Sequence, residues 1–124
     1  RNQFSNYKLL DTYINGDLTL GENIADLGGV TIAVDILKDL MKNNNISEEN
    51  QKKLLKKLFY NYAKIWRQNI RNKELKKRIQ IDPHSPAVWR VNGILPNVNE
   101  FYNVFDISEK DKLFIKENNR AIIW

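Results

Sequence analysis

The apolar positions of this chain fall mostly at helical spacing. From residue 22 to about 42, Ile24, Leu27, Val34, Leu37, Leu40 and Met41 recur at steps of three, four and seven. That spacing predicts a helix of about five turns. Asn43-Asn44-Asn45 interrupts it, and Ser47, a favoured N-cap, opens a second helix over about 48–69 with Glu48 and Glu49 in its first turn. There Lys52, Lys53, Lys56 and Lys57 alternate with Leu54, Leu55, Leu58 and Phe59, the pattern of a half-buried helix. A shorter basic helix is expected around 73–78. Asp82-Pro83-His84-Ser85-Pro86 reads as a proline-bounded loop, followed by an extended segment over 88–95. Asn97 and Glu100 have capping-box spacing and predict a helix over 100–105, and Ser108 with Asp111 suggests a last short turn. Residues 1–20 read as an irregular or extended lead-in with a turn at Asn15-Gly16-Asp17. The expectation is one mainly α domain over residues 1–124, without internal repeats.

Two features of the first helix go beyond packing. Glu22 and Asp26 are four apart, which puts both carboxylates on one face, roughly 40° apart around the axis. One can bind a metal while the other orients a neighbouring ligand, although acid pairs at this spacing are common on helices. Gly28 and Gly29 lie inside the same helix, where each costs on the order of 1 kcal/mol relative to alanine. Glu22, Asp26, Gly29 and Ala33 fall within about 60° of arc, so the acidic face continues as a strip of small residues. Such a strip lets another helix approach closely. The only histidine, His84, is held between two prolines and lies six residues before Arg90.

Charge and composition narrow the picture further. Residues 51–80 carry eleven basic and one acidic side chain, a block of net +10 within a chain of net +5. A basic module for nucleic acid or an acidic surface is therefore an alternative class. The lysines sit opposite an apolar stripe, so a solvated helix face is the preferred reading and no nucleic-acid partner is expected. No cysteine is present, which excludes disulfides and thiol ligands. No apolar run approaches the roughly 18 residues a membrane span needs. Abundant Lys and Asn suggest a bacterial source, with the compartment left open between cytoplasmic and secreted or surface-associated.

Together, Asn15-Gly16, the run from Leu18 to Asp26, Tyr62-Ala63-Lys64-Ile65-Trp66, Asp82 through Arg90 and the closing Trp124 resemble the C-terminal part of the neprilysin family of zinc metallopeptidases. That family includes endothelin-converting enzymes and PepO-type oligopeptidases. The resemblance implies the helical C-terminal part of a thermolysin-like catalytic domain. It implies Glu22 as the third zinc ligand and Asp26 as the carboxylate that orients a zinc-binding histidine. It further implies His84 as the donor to the oxyanion of the tetrahedral intermediate and Arg90 as a substrate-binding residue. Ile65 and Trp66 match the apolar pair lining the pocket for the side chain after the scissile bond. Asp82, two residues before His84, has the spacing to bond the other imidazole nitrogen.

The family's H-E-x-x-H helix, source of two zinc ligands and the general base, is absent from these residues. The chain is thus expected to be an incomplete catalytic domain whose partners are an oligopeptide substrate and the upstream part of the same polypeptide. One Zn²⁺ is expected per intact site, without tight binding to this segment alone. The segment alone should not hydrolyse peptides. A parent without the motif would be an inactive relative.

Overall fold

The computed structural model describes residues 1–123; Trp124, one of the positions carrying the family resemblance, lies outside the described residues. The lead-in is more ordered than its sequence suggests. It forms a one-turn helix α1 (Asn2–Ser5) and an antiparallel hairpin of β1 (Lys8–Leu9) and β2 (Thr12–Tyr13). The two-residue hairpin turn holds Leu10 and Asp11 at positive φ. That conformation is normally signalled by Asn-Gly or Asp-Gly, which explains why the turn is not readable from these residues.

The long helix α2 (Leu20–Asn43) forms where the apolar spacing places it, and Asn23, Leu27, Val30, Val34 and Met41 line its buried face. Ile24 and Leu40, expected on that face, are instead about half exposed, together with Ile32 and Ile36. The helix is apolar on more than one side, so periodicity alone mixes the core face with a second, uncovered face. Helix α3 (Glu48–Ile65) buries Leu55 and Phe59 and ends four residues before the expected boundary. Beyond Trp66 the chain leaves the helix axis, and Gln68 and Ile70 turn into a cavity beside His84. Helix α4 (Asn72–Ile81) is longer at both ends than the basic helix expected there.

The extended segment over 88–95 is not observed. Its place is taken by α5 (Ala87–Asn92) and a 3₁₀ turn at Leu95–Asn97. Pro86 starts the helix, its carbonyl accepting the Trp89 and Arg90 amides at 2.8 and 3.1 Å. Val88, Trp89 and Val91 favour strands intrinsically, but tertiary packing overrides that preference. The helical turn sends Trp89 to stack on Tyr7, with ring centroids 4.1 Å apart, and Arg90 onto α2. Gly93 follows because a Cβ there would lie 2.8 Å from the Phe4 ring and 2.9 Å from that of Tyr7.

Helix α6 (Asn99–Phe105) forms, but without the expected capping box, because the capping position is Val98. Asn97 is buried and bridges other segments, donating to the Gly93 carbonyl at 2.9 Å and accepting the Ala121 amide at 2.8 Å. Glu100 pairs with Lys38. The turn at Ser108 forms, with Asp111 Oδ2 accepting from both the Ser108 amide and hydroxyl. Helix α3 packs against both α2 and α6, and the core gathers on Val34, Phe59, Ile94 and Val104. Phe101 meets Phe59 edge to face at 5.9 Å. This core fixes α2 from behind and leaves Glu22 on an open edge.

Candidate active site

Glu22 sits in the first turn of α2, and His84 lies on the loop between α4 and α5. His84 Nε2 is 3.2 Å from Glu22 Oε2, and its Nδ1 is 2.8 Å from Asp82 Oδ1. Each ring nitrogen thus faces a carboxylate oxygen, an acceptor only, so whichever nitrogen carries a proton has a partner. The same Asp82 oxygen accepts the His84 backbone N–H at 2.9 Å. That amide bond is the main reason the Asp82 carboxyl is held below its ordinary value; burial opposes it, and the His84 ring adds a smaller lowering effect. The Glu22 and His84 side chains are 40% and 47% exposed, so the pair is open to solvent.

A buried chain of hydrogen bonds fixes this loop to the helix. Ser85 Oγ donates to Asn23 Oδ1 at 2.7 Å, and Asn23 Nδ2 donates to Thr19 Oγ1 at 3.0 Å. All three residues are buried. Asn23 is next in sequence to Glu22, and Ser85 is next to His84, so this contact sets their distance. Neither residue stands out as functional in the sequence. The available signal is a polar Asn at a core position of an amphipathic helix, where it requires a partner.

One turn further along α2, Asp26 receives a two-pronged hydrogen bond from Arg90 of α5. Arg90 Nε reaches Oδ2 and Nη2 reaches Oδ1, both at 2.6 Å. The side chains are only 14% (Arg90) and 9% (Asp26) exposed. Burial alone would make Arg90 easier to deprotonate, but its bonds to Asp26 and that carboxylate's charge outweigh this, so its pKa is raised. The guanidinium lies over the Trp66 ring at 3.6 Å. Tyr62 donates to the Arg90 carbonyl at 3.0 Å, and burial, aided by the Asp26 charge, keeps the phenol protonated well above its usual range. Arg90 retains its Nη1 and one Nη2 hydrogen for another acceptor.

The structure therefore brings Glu22, Asp82 and His84 into one cluster and Asp26, Trp66 and Arg90 into another beside it. Ile65 points elsewhere, 72% exposed, into an apolar cavity of about 280 Å³ shared with Ala25, Asp26, Gly29, Ala33 and Tyr62. A Cβ at Gly29 would meet nothing within 4 Å, so no contact inside the chain requires that glycine. Among the described residues no group of three or more His, Cys, Asp or Glu is disposed to hold a metal. A zinc site takes three protein ligands and keeps an open position when catalytic. The half-exposed Glu22 carboxylate on a rigid helix has the chemistry of one such ligand. No helix among the described residues is long and apolar enough to cross a membrane.

This mainly α fold, with an open carboxylate beside a loop histidine and an arginine clamp, is that of the helical C-terminal part of a thermolysin-like catalytic domain. The chain belongs to Peptidase family M13, whose profile matches residues 1–121. It is 38% identical over 111 residues to a neutral endopeptidase of Lactobacillus helveticus, covering 90% of this chain and 16% of that protein. It is 32% identical over 120 residues to neprilysin of Mus musculus, covering 90% and 15%. A zinc metalloprotease of Mycobacterium tuberculosis, solved with an inhibitor, superposes with a TM-score of 0.85 at 32% identity, over 99% of this chain and 20% of that one. The chain thus spans about a sixth of the length of the curated relatives it matches.

Proposed function

We propose that these residues are the C-terminal portion of the catalytic domain of a zinc-dependent endopeptidase that hydrolyses short peptides. The observation that supports this best is the 3.2 Å approach of His84 Nε2 to Glu22 Oε2, residues far apart in sequence that share one open edge. Glu22 is the metal's carboxylate ligand. When bound, zinc polarises the substrate carbonyl and makes water a nucleophile at neutral pH. His84 donates from Nε2 to the oxygen on which negative charge develops, while Asp82 fixes the ring from the other side. Arg90 holds a substrate carbonyl with its remaining donors. Trp66 keeps the guanidinium plane in place, and Ile65 supplies apolar surface for a substrate side chain.

Asp26 already binds Arg90, but a carboxylate has further lone pairs, so it can also orient a histidine ligand supplied from elsewhere. The upstream polypeptide packs on the strip of Gly29 and Ala33 and on the neighbouring exposed Ile32, Ile36 and Leu40, a face that none of the described residues covers. The 124 residues alone neither hold zinc tightly nor cleave peptides.

The test uses the full-length protein and an internally quenched short peptide. Cleavage that is abolished by chelation and restored by zinc is expected. His84→Phe should lower kcat by roughly 10²–10³-fold, as for other oxyanion donors, while zinc is retained. A full-length protein that binds zinc yet cleaves no short peptide contradicts the reading.

A further inference from the structure

The cavity on the far side of His84 from Glu22 has no role in the roles assigned above. It encloses about 230 Å³ between α4, α5 and the segment after α3, with Gln68, Arg78, Asp82, His84 and Arg90 among its walls. Two guanidinium groups and one amide therefore face one carboxylate. That carboxylate, on Asp82, is already engaged by the His84 amide and ring. Arg90 is neutralised by Asp26. Arg78 pairs with Glu74 one turn earlier on α4, through Nε to Oε1 at 2.9 Å, both side chains being half exposed. Among the described residues nothing accepts from its two Nη groups.

We infer that this cavity is a carboxylate-binding subsite in which Arg78, assisted by the Gln68 side-chain amide, selects substrates with a negative charge beside the segment held by Arg90. The inference rests on the peptidase reading and names a substrate class for it. A guanidinium presents paired donors that match a carboxylate better than a neutral amide. The charge can be the C-terminal carboxylate of a short peptide or an acidic side chain. Arg78 is half exposed, so its effect belongs to substrate affinity rather than to the chemical step.

The experiment compares three substrates on the full-length zinc-loaded protein: one short peptide with a free carboxyl terminus, the same peptide amidated, and the amidated peptide carrying a Glu near that end. A lower KM for the free acid or for the Glu peptide than for the plain amide, by roughly 10-fold, is expected, and which of the two is favoured identifies the source of the charge. Arg78→Gln should raise KM for the charged peptide to that of the amide and leave kcat and zinc content unchanged. Arg78→Lys should restore part of the preference, and Gln68→Leu should weaken it less. Equal KM for all three peptides, or an equal rise for all three in Arg78→Gln, overturns the inference while leaving the peptidase reading intact. A zinc-loaded protein that cleaves none of them overturns both.

Discussion

The two side-chain pairs of this site lie one helical turn apart on α2 and are built in opposite ways. Asp26 and Arg90 are nearly sealed from water, joined by two short bonds and covered by Trp66. Glu22 and His84 are close to half exposed and joined at a single 3.2 Å contact. A buried charge must be paired and hydrogen-bonded to persist, whereas an exposed pair contributes little to stability and can exchange partners. The first pair is therefore scaffold that also offers spare donors. The second, open to solvent, is free to exchange partners, as the proposed metal-ligand and oxyanion roles require.

Breaking the sealed pair should have the largest effect. Arg90→Ala leaves a buried carboxylate without its partner, and the free energy of local opening around α2 and α5 should fall by about 3–5 kcal/mol. Amide hydrogen exchange on these helices measures it. The double variant Asp26→Leu with Arg90→Met should recover much of that loss, because neither charge is left stranded. Next comes the buried link between the loop and the helix. Asn23→Ala leaves the Ser85 hydroxyl without an acceptor and should cost about 1–3 kcal/mol in the same measurement. The open pair should matter least: His84→Gln should change local stability by no more than about 0.5 kcal/mol. A His84→Gln loss as large as that of Arg90→Ala would erase the distinction between the two pairs.

The relation between Glu22 and Asp26 is legible in the sequence because helical geometry alone fixes residues four apart on one face. The approach of His84 to that face is not, since it depends on the buried Ser85–Asn23 bond across the fold. The small-residue strip is equally plain from spacing, while the exposure of Ile24 and Leu40 depends on which of two apolar faces the core takes. Helix α5 escapes a reading by propensity because Val88, Trp89 and Val91 favour strands. In the coiled segment Trp89 and Arg90 point about 100° apart around the axis, which lets one stack on Tyr7 while the other pairs with Asp26. Trp66 is marked in the sequence only through the resemblance, as a pocket-lining residue, and its contact with the Arg90 guanidinium is visible only in the fold.

The most direct measurement is the zinc content of the full-length protein with Glu22→Ala beside His84→Gln. The account predicts about one zinc per chain in the parent and in His84→Gln, and loss of tightly held zinc in Glu22→Ala with the helical fold preserved. Undiminished zinc binding by Glu22→Ala would contradict it.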